Sequence, residues 1–155
     1  MGSAEPGADE QSLVSAAAVY GLLSTLLRRS PRDISLTSLA TLATLDRAGA
    51  KKITELAALE GVTQPSMTTL IAGLEKAGLV ERSGDPNDRR VSMVSLTSVG
   101  RDYIRRRRQT GSEAFVTLVS ELPPDEAAAL AAAVPALVRL RDIDNEQRDA
   151  LLRAR

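Results

Sequence analysis

The sequence predicts a mainly α protein with a small two-stranded β wing, an α+β fold. Three observations point there. Apolar residues recur at helical spacing along most of the chain, only two short runs read as strands, and aromatics at 2% leave the core to Leu, Ala, Val and Ile. Its 155 residues, 43% hydrophobic and 26% charged, suit one compact domain carrying an added helical element.

Residues 1–10, MGSAEPGADE, are polar, without the basic and apolar segments of a secretion signal, and read as a disordered tail. From Gln11 to Arg29 there is no Pro, and Val19, Leu22, Leu23 and Leu26 fall at i, i+3, i+4, i+7, one face of a first helix. Ser30-Pro31 closes it, because the residue before Pro is pushed away from helical dihedrals. Leu36, Leu39, Leu42, Ala43 and Leu45 build a second helix ending near Gly49, and Lys51 to Glu60 a short third. Gly61-Val62-Thr63 makes a turn in which Thr63 caps a fourth helix with Gln64 or Pro65 in its first position. In that helix Met67, Leu70, Ile71 and Leu74 share one face, and it stops at Gly78. Leu79 to Arg82 and Val91 to Leu96 are strand-like runs separated by SGDPNDRR, rich in turn formers, and read as a hairpin with a long tip. Thr97 caps a long fifth helix that ends at Pro123-Pro124, and Asp125 and Glu126 open a sixth, Ala- and Leu-rich, which Pro135 is expected to kink.

Helices one, five and six carry long apolar stripes with no place in a small three-helix core. Burying them against a second copy is the economical solution, so a homodimer is expected. The resulting division is a helical dimerisation region over 11–30 and 98–155 around a central unit over 31–97.

Charge is segregated although the total is zero, with twenty Lys+Arg against twenty Asp+Glu. Residues 51–108 hold eleven bases and seven acids, +4, whereas residues 1–50 come to −1 and residues 109–155 to −3. The absence of Cys and His excludes disulfides, thiolate and imidazole chemistry and the usual zinc sites. With no phosphate-cradling glycine loop, nucleophile elbow or metal-ligand cluster, no enzyme, cofactor or metal is expected. No apolar run approaches membrane-spanning length, so a cytoplasmic location without a membrane partner is expected.

Two short helices joined by a Gly-containing turn, the second with an apolar back and a small polar front, followed at once by a hairpin, form the order of a winged helix-turn-helix. The stretch ITELAALEGVTQPSMTTLIAGLEKAGLVERSGDPNDRRVSMVSLTSVG resembles the MarR family of bacterial transcription regulators. The matching positions are Ser66, Thr68 or Thr69, Leu74-Glu75, Gly78-Leu79-Val80, Arg82, Asp85-Pro86, Asp88, Arg90, Leu96-Thr97 and Gly100. The resemblance implies an obligate dimer with intertwined terminal helices, a fourth helix in the major groove and wings in the flanking minor grooves. It also implies control by a small-molecule effector, in a crevice lined by parts of helices one, two and five. Tyr20, Tyr103 and Arg28 are the groups there suited to an aromatic or phenolic acid, though packing or surface exposure explains each as well. Without Cys, the peroxide-sensing thiol of some relatives is not available.

The candidate DNA readers are therefore Gln64, Pro65, Ser66, Thr68 and Thr69, whose amide, hydroxyls and methyls suit base edges, phosphates and the thymine methyl. On the wing, Asp88, Arg89 and Arg90 are the candidates: Arg90 inserts into a narrow minor groove, Asp88 orients it, and Arg89 faces groove or phosphate. Many relatives carry Arg where this chain has Thr69, and no Lys or Arg occurs from Gln64 to Glu75, so direct guanine readout is weak and an A·T-leaning, pseudo-palindromic double-stranded operator is expected. Arg105 to Arg108 point in all directions around a helix and are read as solvated charges pairing with acids such as Asp102 or Glu113, while Lys51, Lys52 and Lys76 suit nonspecific phosphate contact. The function expected is a sequence-specific repressor released by a small, phenolic or aromatic ligand. The competing reading is a helical protein-interaction module or antirepressor that keeps the fold without DNA binding, motivated by Thr69 and the zero net charge.

Overall fold

The computed structural model describes residues 8–29, 33–84 and 92–153. Six helices and three strands follow in the order α1 (Ala8–Arg29), α2 (Leu36–Ala48), β1 (Lys51–Lys52), α3 (Ile53–Leu59), α4 (Gln64–Lys76), β2 (Val80–Gly84), β3 (Ser92–Leu96), α5 (Ser98–Val119) and α6 (Pro124–Arg153).

Helix boundaries sit where capping chemistry puts them. Ser35, Thr63 and Thr97 hold extended backbone conformations, and their hydroxyls accept from the amides of Ser38, Ser66 and Gly100. Gly49 and Gly78 take φ of 72° and 71° just past α2 and α4, a conformation that carries no penalty without a Cβ. α1 begins three residues before Gln11, so Ala8 to Glu10 belong to the helix rather than to the expected tail. Asp9 and Glu10 in its first turn favour that early start by facing the positive end of the helix dipole. The rest of the expected tail lies outside the described residues.

One further boundary departs from expectation. Lys51 and Lys52 form a short strand instead of opening α3: they pair antiparallel with Val94 and Met93, and α3 starts at Ile53, where the Glu55 carboxylate accepts from the Lys52 amide at 2.7 Å. The hairpin is thus part of a three-stranded sheet of order β1-β3-β2, in which β2 pairs with β3 from Val80↔Leu96 to Gly84↔Ser92. α6 continues through Pro135. The carbonyl that Pro135 leaves unpaired belongs to Ala131, and both residues are exposed, so water can take that bond.

The core lies in the middle of the chain. Leu42 and Leu45 of α2, Leu56 of α3, Met67, Ile71 and Leu74 of α4, Val80, Val94 and Leu96 of the sheet and Ile104 of α5 form one buried cluster. Each such side chain contributes about 1.5 to 3 kcal/mol by leaving water. Thr41 and Thr44 are buried among them with their hydroxyls satisfied by the Thr37 carbonyl and the Glu60 carboxylate, both at 2.8 Å. α5 meets the sheet at Gly100, where a Cβ would stand 2.0 Å from the Leu79 carbonyl oxygen. Among the described residues α1 and α6 add nothing to this cluster, and Leu13, Val14 and Tyr20 of α1 and Leu140 of α6 are more than half exposed.

Candidate nucleic-acid interface

α4 divides cleanly by its period. Met67, Ile71 and Leu74 are buried and Leu70 half-buried, while Gln64, Pro65, Ser66, Thr68, Thr69, Ala72 and Gly73 are exposed. The five residues singled out on this helix therefore come together at its N-terminal half, facing solvent. Their hydroxyls are ordered by the helix itself. Thr68 Oγ1 donates to the Gln64 carbonyl at 2.9 Å and Thr69 Oγ1 to the Pro65 carbonyl at 3.1 Å, and Ser66 Oγ lies 2.8 Å from the capping Thr63 Oγ1. The charged residues of α4 are Glu75 and Lys76, both in its last turn. Asp88, Arg89 and Arg90 fall in the connection between β2 and β3, outside the described residues.

The sequence gives Glu75 and Arg82 as motif positions without a role; the structure supplies one. Arg82 Nε lies 3.2 Å from Glu75 Oε2, joining the end of α4 to β2 at the root of the wing. A Glu and an Arg flanking a Gly turn were the available signal.

Arg105 to Arg108 fan out around α5, and three of the four meet acids. Arg105 pairs with Asp102, as expected; Arg107 lies 3.5 Å from Asp33, and Arg108 lies 2.7 Å from Asp46. Glu113, the other expected partner, instead accepts from Gln109 at 2.9 Å. Tyr103 joins the Arg107 group: its hydroxyl donates to Asp33 at 2.7 Å, and the Arg107 guanidinium carbon lies 5.9 Å from its ring centre. Partial burial, with the hydrogen bond to Asp33 second, pushes the Tyr103 hydroxyl up to about 12. The same hydrogen bond holds the Asp33 carboxyl below its ordinary value. Lys51 and Lys52 are half-buried in β1, with Lys51 Nζ donating to the Ala48 carbonyl at 3.1 Å, whereas Lys76 is exposed.

α1, α2 and α5 border an open cavity of about 490 Å³. Leu23, Leu26 and Leu27 line one side, Leu39 and Ala43 another, and Tyr103, Ile104 and Arg106 to Arg108 the third. It occupies the place expected for an effector crevice. Of the three residues considered for it, Tyr103 is in the lining; Tyr20 is 74% exposed on α1, and Arg28 donates to Thr25 Oγ1 at 3.2 Å. Among the described residues no group of acids could hold a metal ion, and no helix is long and apolar enough to cross a membrane.

Comparison with known proteins agrees with this geometry. Residues 34–92 match the pattern of the MarR family. A helix-turn-helix-type transcriptional regulator of Mycobacterium leprae is 34% identical over 126 residues, covering 81% of this chain and 88% of that protein. A crystal structure from Pseudomonas aeruginosa, described as that of a transcriptional regulator, superposes with a TM-score of 0.69 at 32% identity, over 85% of this chain and 97% of that one. A mutant of MepR from S. aureus, bound to an oligodeoxyribonucleotide, shares the fold with a TM-score of 0.60 at 21% identity, over 87% of this chain and 98% of that one.

Proposed function

The chain belongs to the MarR family and is a transcriptional regulator of that type rather than an enzyme; from that premise we propose that it is a cytoplasmic homodimeric repressor that reads a pseudo-palindromic operator and is released by a small phenolic or aromatic ligand. The observation that carries the reading is the exposed, uncharged N-terminal half of α4, braced from behind by Met67, Ile71 and Leu74 and tied to the wing through Glu75 and Arg82. Gln64, Pro65, Ser66, Thr68 and Thr69 read base edges in the major groove, and Asp88, Arg89 and Arg90 carry the wing's contact with the minor groove. Dimerisation uses 11–30 and 98–155, which the exposed apolar residues of α1 and α6 support, and 31–97 is the DNA-binding unit. Two such units place half-sites about one helical turn, roughly 10 bp, apart. The α1–α2–α5 cavity receives the effector, its apolar walls suited to a ring and its guanidinium rim to an acidic group.

Fluorescence anisotropy with duplex DNA from upstream of the protein's own gene, against scrambled DNA, tests this. Specific binding that falls by about 10³-fold between 50 and 200 mM salt, as about six phosphate contacts require, and that is lost in Arg90→Ala, is the expected result. Should neither that duplex nor a genome-fragment selection yield a specific complex, the alternative stands: a protein-interaction module on the same fold, which the lack of Lys and Arg from Gln64 to Glu75 would then explain.

A further inference from the structure

We propose that Asp46 and Arg47, in the last turn of α2, are positioning residues for DNA binding: together they clamp the helix-turn-helix to both α5 and α6 and fix the angle of α4 relative to the dimerisation helices. The inference rests on the DNA-binding reading above.

Arg47 Nη1 and Nη2 donate to Asp149 Oδ2 and Oδ1 at 3.0 and 3.1 Å, a two-pronged pair that fixes direction as well as distance. Its neighbour Asp46 accepts from Arg108 Nη1 at 2.7 Å. Consecutive helical positions point about 100° apart, so this dipeptide reaches two different helices from one turn. Neither partner belongs to the buried cluster. Asp149 is near the end of α6, and Arg108 is one turn beyond Ile104, the last residue that α5 gives to the core. Asp144 adds its charge to that of Asp149 at Arg47, and α6 also packs on α3.

α2 is linked to α4 through the shared core. Leu42 and Leu45 belong to the same buried cluster as Leu56, Met67 and Ile71, so a displacement of α2 is passed to the helix-turn-helix through that cluster. The clamp also begins at the cavity. Arg108 lies on the rim beside Arg107, whose partner Asp33 stands three residues ahead of α2. Both ends of α2 are thereby tied to one edge of that cavity.

The test uses the full-length chain and a duplex chosen by selection from random DNA. Anisotropy is read for wild type, Arg47→Asp, Asp149→Arg and the exchange of both, on the chosen duplex and on versions whose half-sites are moved one base pair closer or farther. Each single reversal is expected to lose about five-fold in affinity, the worth of one half-exposed pair, and to flatten the preference among the three spacings. The exchange is expected to restore both. Urea midpoints of all four proteins separate loss of fold from loss of position. Singles that keep the wild-type spacing preference, or an exchange no better than either single, overturn the clamp. A wild type that selects no duplex overturns the DNA-binding reading and the clamp with it.

Discussion

Gly100→Ala isolates the closest approach in the fold. The added Cβ would stand 2.0 Å from the Leu79 carbonyl oxygen, 3.0 Å from its carbon and 3.2 Å from Leu96 Cδ2. The φ of Gly100 is not positive, so the penalty is steric and not conformational. The neighbour on one side is backbone in the turn entering β2, and on the other the first turn of α5, so neither can rotate away as a side chain would. Relief requires the helix and the strand to part by about 1 Å, and overpacking of this kind costs about 1 to 3 kcal/mol. The parting also strains the bonds from the Thr97 amide to the Leu79 carbonyl (3.1 Å) and from Thr97 Oγ1 to the Gly78 carbonyl (2.6 Å). Each of those bonds is worth about 1 kcal/mol, and the gain in helix propensity from Gly to Ala returns about 1 kcal/mol. The net expectation is a destabilisation of about 2 to 4 kcal/mol. Equilibrium urea unfolding at one fixed protein concentration reads it as a lower midpoint at unchanged slope. Gly73→Ala is the control: nothing lies within 4 Å of its Cβ, and it should stabilise by about 0.5 to 1 kcal/mol. A Gly100→Ala protein that unfolds at the wild-type midpoint, or a Gly73→Ala protein that loses as much, would refute the reasoning.

Thr63→Ala removes the α4 cap and is expected to cost about 1 kcal/mol in the same urea assay, while Thr63→Ser should cost little. Met67→Ala empties a fully buried site and is expected to cost about 2 to 5 kcal/mol. Tyr103 has its folded value raised to about 12 from the ordinary 10.0, so its contribution is whole below pH 10.0 and is lost as pH rises through 12. Stability measured across that window should therefore fall less steeply in Tyr103→Phe than in wild type. The Asp33 carboxyl is shifted the other way, so its contribution is whole above its ordinary 3.8 and disappears as pH falls through the lowered folded value, a dependence that Asp33→Asn should abolish.

What the sequence makes legible is whatever a few neighbouring residues decide. Ser35, Thr63 and Thr97 mark helix starts, Gly49 and Gly78 mark ends, and the spacing of Met67, Leu70, Ile71 and Leu74 orients the candidate reading face. β1 is not legible, because two lysines after Gly49-Ala50 carry no period and become a strand only when β3 offers its edge. The long-range pairs escaped for a related reason. Asp33 meets Tyr103 across 70 residues, Asp46 meets Arg108 across 62, and Arg47 meets Asp149 across 102, and nothing in an isolated Asp says which Arg it will face. Asp102 is legible as the partner of Arg105 because that pair is three residues apart on one helix. Glu75 and Arg82 were within reach of the same reasoning, but the turn between them had to be folded before their distance could be known.

The hydroxyls of Thr68 and Thr69 have a consequence for how this surface can tell one base from another. A Thr hydroxyl has a single hydrogen, and in both residues it is directed at a carbonyl one turn back. What remains outward is an oxygen able to accept and a methyl able to touch. On the proposed reading, these two side chains match the amines of adenine and cytosine and the methyl of thymine, and have nothing to give the paired acceptors of guanine unless a helix bond is broken first, which leaves donation to Gln64 and Ser66. At the bases those two threonines meet, discrimination against guanine would then be built into the folding of α4 itself, before any DNA arrives.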